Sequence, residues 1–328
     1  MVMLVTGATG FVGSAVLRKL KAAGYEVRVL VRSTSPLKNL EGLDVDIRHG
    51  DLTDPDSLNN AIKGCDHLFH VAADYRLWAR DPREIYRTNV EGTRNVMDAA
   101  ARSGVSRIVY TSSVATLGLT DDATPADEDT PSSLNEMIGP YKRSKYLAEQ
   151  DVIRRVHDED LPVVVVNPSA PVGPRDIRPT PTGRMILDAA AGRMPAYVDT
   201  GLNIVHVDDV AEGHILAAKR GKVGERYILG STDLHLREIL TIVAELTEQK
   251  PPRIRLPHGL ILPVAWLSEG IAKVTGIEPR VTVDGVRLAK KKMFFSSRKA
   301  KQELDYRPGP ARQAIEDALS YCREHGYL

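Results

Sequence analysis

Short continuous apolar runs alternate along the chain with longer stretches in which apolar residues recur every three or four positions. Val2–Thr6 is such a run and predicts a strand buried on both faces. Phe11–Ala23 has helical spacing and stops at Gly24. Further strands are predicted at Glu26–Val31, Val45–Gly50, Asp66–Val71, Arg107–Ser112 and Pro162–Asn167. Helices are predicted over Pro55–Lys63, Asp81–Ser103 and Tyr141–Val156. Alternation of this kind predicts an α/β fold, a doubly wound parallel sheet with helices on both faces.

Proline then changes the pattern. Six of the 20 prolines precede residue 160, and six more fall within Pro162–Pro181. Proline removes a backbone donor, so the chain is expected to leave the sheet there. Asp208–Lys219 and Arg226–Leu229 read as one more helix and strand, and helical patterns dominate from Leu234. The expected organisation is one unit over 1–170, rejoined by 202–230. A smaller, mostly helical unit over 171–201 and 231–328 is expected to bind substrate. Gly259–Gly276 stands out as a helix more apolar than a surface helix needs, with Pro263 expected in its first turn. It reads as a core helix, a dimer face, or a contact with a lipid-like substrate or membrane surface.

Composition narrows the function. Across 328 residues, 44 Lys and Arg balance 43 Asp and Glu, which argues against a nucleic-acid binder held by counterion release. Two cysteines, Cys65 and Cys322, give neither a disulfide framework nor a zinc cluster, and suit a reducing cytoplasm. No signal peptide is expected, because no basic and then apolar leader precedes the first strand. His67 and His70 lie on opposite faces of a predicted strand, so no metal site is expected.

The chemistry begins at Thr6-Gly7-Ala8-Thr9-Gly10-Phe11-Val12-Gly13, between the first strand and the first helix. Gly7 permits a tight turn, Gly10 lets a pyrophosphate approach, and Gly13 lets the helix pack closely. Phosphates would then rest on free N–H groups at the positive end of the helix. The second strand ends at Arg32, where a carboxylate would bond ribose hydroxyls and repel a 2′-phosphate. A guanidinium pairs with that phosphate instead, so NADP is preferred over NAD. Asp51 and Leu52 are placed to meet the adenine; Asp51 alternatively caps the helix beginning near Pro55.

Tyr141 and Lys145 lie four apart at the start of a predicted helix, hence on one face. A phenol is a poor base at neutral pH, and a nearby ammonium lowers its pKa. Tyr141 then exchanges a proton with a hydroxyl or carbonyl oxygen while hydride moves. Ser113, with Ser112 as runner-up, ends strand five and would hold the substrate oxygen. Asp74 and Tyr75 follow strand four and read as a substrate wall, or as plain loop packing. Asn167 either bonds the substrate or ties down the proline-rich turn, and His206 is read as fixing a loop.

These residues resemble the extended short-chain dehydrogenase/reductase family, with its Rossmann-like fold. The resemblance rests on Thr6–Gly13, Gly50-Asp51-Leu52, His70–Ala73, Thr88–Thr93, the Ser112-Ser113 pair, Tyr141 with Lys145, Asn167-Pro168 with Gly173-Pro174, His206–Val210 and Leu304–Pro308. Within it, Ala72–Trp78, Thr111–Gly118, Met194–Gly201 and Lys291–Ser297 resemble the hopanoid-associated sugar epimerase group, with dihydroflavonol 4-reductases next. The resemblance implies an NAD(P)-dependent oxidoreductase or epimerase, acting on a secondary alcohol or ketone of a sugar- or polycyclic-lipid-related substrate. It implies cofactor contacts from Gly7, Thr9, Gly10, Phe11, Val12, Arg32, Asp51, Leu52, Ala72, Ala73, Tyr141, Lys145 and Pro168, with Lys145 on the nicotinamide ribose. Nucleotide-sugar epimerases of this family usually hold NAD tightly and carry an acid where Arg32 stands. Arg32 therefore favours a reductase that exchanges its cofactor, with a tight-NAD epimerase and a non-catalytic NADP-binding regulator as alternatives. The expected partners are a small-molecule substrate and a second copy in a homodimer, with lipid contact through 259–276 the further reading.

Overall fold

The computed structural model describes residues 1–276, 279 and 281–328. In chain order come β1 (Val2–Thr6), α1 (Phe11–Ala22), β2 (Glu26–Val31), β3 (Asp46–His49), α2 (Pro55–Ile62) and β4 (His67–His70). Next are α3 (Arg83–Tyr86), α4 (Gly92–Ser103), β5 (Arg107–Thr111), α5 (Gly139–Glu159) and β6 (Val163–Pro168). Then follow β7 (Ala170–Val172), α6 (Pro181–Ala190), β8 (Ala196–Tyr197), β9 (Gly201–His206), α7 (Val207–Arg220) and β10 (Arg226–Leu229). The chain ends through β11 (Thr232–His235), α8 (Leu236–Leu246), β12 (Ile254–Arg255), α9 (His258–Thr275), α10 (Val283–Leu288), β13 (Lys292–Met293) and α11 (Ala311–Glu324).

Among the described residues the main sheet has seven strands in the order β10-β6-β5-β4-β1-β2-β3, all parallel. The strand order reverses at β1, which places the crevice for a ligand at the carboxyl ends of β1 and β4. Alternate residues of β1 feed the two cores: Met3 and Val5 join α1 and α7 on one face, and Leu4 joins α2, α4 and α5 on the other. Val163–Val166 of β6 are wholly buried, as expected of a strand covered on both sides.

A second, four-stranded sheet holds β11, β9 and β13 with β7 on β9, and packs on α6, α8 and α11 through Ile204, Ile239, Val243 and Ile315. Of the stretch 202–230, α7 and β10 lie on the main sheet, whereas β9 pairs in this second one. Strands of two to six residues in this half carry too little period-2 signal to stand out among helical patterns. The predicted helix 81–103 forms with a π-helical turn at Arg87–Glu91 between α3 and α4. Pro263 lies inside α9, in its second turn rather than its first. Proline there has no N–H to give the Gly259 carbonyl one turn before it, yet the helix runs on to Thr275.

Candidate active site

The glycine loop is shaped by contacts with its own backbone. Gly7 has φ +75°, and a Cβ on it would meet the Ala72 backbone at 2.7 Å. A Cβ on Gly13 would meet the Gly7 carbonyl oxygen at 2.1 Å. The close packing demanded of Gly13 is therefore against the loop itself rather than the strand. The Thr6 hydroxyl bonds His70 Nδ1 at 2.8 Å and accepts from the Ala72 N–H at 3.2 Å, locking Ala72 beside the loop. Gly10 stands at the N-terminus of α1 with no side-chain cap, so the amides of Phe11, Val12 and Gly13 face outward as an anion cradle. The Asn39 amide donates to the carbonyls of Thr9 at 3.2 Å and Arg175 at 3.3 Å, tying the loop to the chain beyond β7.

Arg32 is exposed at the end of β2. Burial raises the Asp51 carboxyl pKa, but two hydrogen bonds from Thr53 and the charges of Arg32 and Arg87 outweigh it and hold the group below its ordinary value. The cap on α2 is Asp54, whose carboxylate accepts from Asp56 and Ser57, and Asp51 is not the cap. Leu52 is buried against Gly92. These features fit a dinucleotide: uncapped helix amides and a glycine cradle for the phosphates, with Arg32 and Asp51 beyond them.

At the other end of the crevice, Pro140 opens α5 and Tyr141, Lys145 and Glu149 follow at one-turn intervals on its inner face. Burial raises the Tyr141 phenol pKa, and the Ser113 side chain offsets part of that rise. The phenol is thus protonated in the free protein at neutral pH. Lys145 Nζ donates to the Thr111 carbonyl at 2.8 Å and to the Tyr110 hydroxyl at 3.1 Å. Burial brings its pKa down to about 8, against the opposing pull of Glu149. Glu149, wholly buried, accepts from Thr116 Oγ1 at 2.9 Å, Asn167 Nδ2 at 2.8 Å and Arg226 Nη1 at 3.3 Å.

The Ser113 hydroxyl lies toward Tyr141 and accepts from the Ala115 N–H at 3.1 Å. Ser112 is buried behind it. Asn167 does not line a substrate space: it is fully buried, and its amide donates to the Ser113 carbonyl at 3.0 Å and to Glu149. Its place at the buried end of β6 turns its amide under Ser113, away from both the substrate role and the tie to the proline-rich turn that the sequence suggested. Pro168, next in the strand, is buried beside β10. Asp74 is held by Arg76 at 2.6 Å and by Asn89, and the Tyr75 hydroxyl donates to the Arg178 carbonyl at 3.2 Å, so both are engaged within loop packing. His206 caps α7 and pairs with Asp317 at 3.1 Å. Among the described residues no cluster of three or more His, Cys, Asp or Glu stands close enough to hold a metal.

Sequence reasoning passed over Tyr110, Glu149 and Asn39. Glu149 had a legible signal, one turn beyond Lys145 on the same face. Tyr110 and Asn39 had none, because their roles depend on which elements meet.

Residues 3–230 match the model of the NAD dependent epimerase/dehydratase family. The chain is 45% identical to a putative dihydroflavonol 4-reductase of Synechocystis sp., over 99% of this chain and 95% of that protein. It is 36% identical to sterol demethylase protein B of Methylococcus capsulatus, over the full length of both. A crystal structure of gox2253 superposes with a TM-score of 0.90 at 57% identity, covering 100% of this chain and 99% of that one.

Proposed function

Since this chain belongs to the NAD-dependent epimerase/dehydratase family, within the extended short-chain dehydrogenases/reductases, we propose that it is an NADP(H)-dependent reductase of a ketone on a polycyclic or lipid-related substrate. The observation that carries this reading is the Ser113–Tyr141–Lys145 arrangement at the crevice whose other end is the uncapped glycine loop. When bound, the nicotinamide supplies the hydride. Ser113 orients the substrate carbonyl toward Tyr141. Tyr141, protonated because burial holds its pKa up, gives its proton to the carbonyl oxygen as negative charge develops there. The Lys145 ammonium then stabilises the phenolate left behind. Its own place is fixed by the Thr111 carbonyl and the Tyr110 hydroxyl, so little reorganisation accompanies the transfer.

The phosphates would sit on the amides of Phe11, Val12 and Gly13, and Arg32, with no carboxylate beside it in sequence, favours a 2′-phosphate. Relatives named for dihydroflavonol and sterol chemistry support a fused-ring substrate.

Tyr141→Phe tests the mechanism. The ring still fills the site, so NADPH affinity should stay within about twofold, while turnover should fall by 10²–10⁴-fold, the worth of a positioned acid. Turnover near that of the wild type sinks the assignment. Mass spectrometry of whatever cofactor co-purifies separates this reading from a tight-binding epimerase, which would retain NAD.

A further inference from the structure

One surface is left out of this chemistry. Helix α9 packs inward through Ile261, Leu262 and Ala265 onto α10, yet Leu260, Val264, Leu267, Ile271 and Val274 are each more than half exposed. At 100° per residue these five form one continuous stripe, about 21 Å long at 1.5 Å per residue. Trp266, 62% exposed, and Lys273 lie together along one margin. No acidic side chain stands on this face: Glu269, the helix's single acid, turns inward to accept from the Val283 N–H at 2.8 Å.

The charge around the stripe is strongly one-sided. Residues 250–292 hold nine Lys and Arg against three Asp and Glu, in a chain whose totals are 44 and 43, so the remainder is net negative. Arg253 and Arg255 precede α9, Arg255 paired with Asp199 at 3.6 Å, and the exposed Lys290 and Lys291 follow Ala289, whose carbonyl meets His258 Nε2 at the start of α9 at 2.8 Å. A surface cavity of about 410 Å³ lies between α6, α8 and the segment that leads to α9, with Leu240 and Ala244 in its wall and Lys250 and Arg253 beside the exposed Ile254.

We propose that the α9 face and its basic surround are a docking surface for an anionic lipid bilayer, with α9 lying in the plane of the interface. The apolar stripe enters the acyl boundary, Trp266 sits at headgroup level, and the lysines and arginines meet anionic headgroups. No helix among the described residues is long and apolar enough to cross a membrane, so the helix lies along the surface. A second copy of the chain fits this face poorly. A two-fold contact sets the patch against itself and brings two strongly basic surrounds together, which is repulsive.

Docking also has a bearing on substrate. A Cβ on Gly139 would meet Asp284 of α10 at 2.8 Å, two residues before Tyr141. The α9–α10 pair therefore stands beside the end of α5 that carries Tyr141, and a docked enzyme meets a substrate that partitions into lipid. This last step rests on the hydride-transfer reading; the docking does not.

The full chain should be co-sedimented with phosphatidylcholine vesicles and with vesicles about one-third phosphatidylglycerol, without cofactor or substrate. The expected result is binding to the anionic vesicles alone, weakened by salt. Leu267→Glu with Ile271→Glu should reduce binding by at least about tenfold, and Lys290→Glu with Lys291→Glu likewise. Thermal unfolding at the wild-type temperature shows that these exposed changes leave the fold intact. Protein that stays in the supernatant with both vesicles overturns the proposal, as does equal binding to both. A wild-type oligomer in sedimentation velocity that Leu267→Glu with Ile271→Glu dissociates gives the face to a second copy and also overturns it.

Discussion

Two side chains show how much a single residue decides. Arg32 ends β2 exposed, and its charge reaches Asp51 across the strand ends. Arg32→Asp should weaken NADPH binding by about 10–100-fold, the loss of a charge-assisted phosphate contact, while sparing NADH. Titrating both cofactors against both proteins checks this; a wild type that prefers NADH refutes the specificity. Glu149 acts from beneath. Lys145 has a native pKa of about 8, set first by burial and then by Glu149, which opposes that fall. The unfolded chain holds this proton up to the ordinary lysine value. Between the two values the unfolded state therefore binds more protons, and stability rises with pH across that window. Activity runs the other way: kcat/KM should decline above about pH 8 as the ammonium is lost. Glu149→Gln removes the opposing charge, so that alkaline limb should move to lower pH. Stability should fall by about 1–3 kcal/mol as the pair with Arg226 and its hydrogen bonds weaken. A purely structural Glu149 would lower stability and leave the limb in place.

At the scale of elements, the junction of β1 and α1 is the most demanding. The Gly13 position leaves 2.1 Å to the Gly7 carbonyl oxygen, against 3.2 Å at Gly10. Gly13→Ala should therefore displace the loop, cost about 1–3 kcal/mol of stability, and abolish NADPH binding. Gly10→Ala should cost less in the free protein. Urea unfolding with cofactor titration measures both. The elements differ in how far their sequences declare them. β1, β2, β5 and β6 are apolar runs whose neighbours on both faces are fixed by the alternation, so position and partner follow together. Tyr141 and Lys145 were readable because helical spacing alone brings them to one face. β7, β9, β11 and β13 were not, since their pairing joins segments up to about 90 residues apart, as where Lys292 stands opposite Gly201, and no local pattern records that. The same reason hid Asn39, whose bond to Arg175 spans 136 residues. Asn167 takes neither of the two roles its sequence position suggests: the packing of β6 against α5 turns it to Ser113 and Glu149, a partnership that no local pattern records.

The whole molecule carries almost no net charge, +1 over 328 residues, so its copies are kept apart by little long-range repulsion. That gives weight to a margin described above only by its place in the sheet order. β3 ends the seven-stranded sheet, and all four of its residues are exposed, Ile47 among them. Such a rim offers unpaired backbone donors and acceptors to any strand that passes. Here the rim is guarded locally. Asp46 is clamped by Arg28 at 2.7 Å and by Arg48 at 2.9 Å, so a newcomer strand would have to bury an ion-pair cluster to add on. At this edge, protection against strand addition thus comes from the Arg28–Asp46–Arg48 cluster rather than from overall charge. Its failure would show as filament growth from one side of an otherwise intact fold.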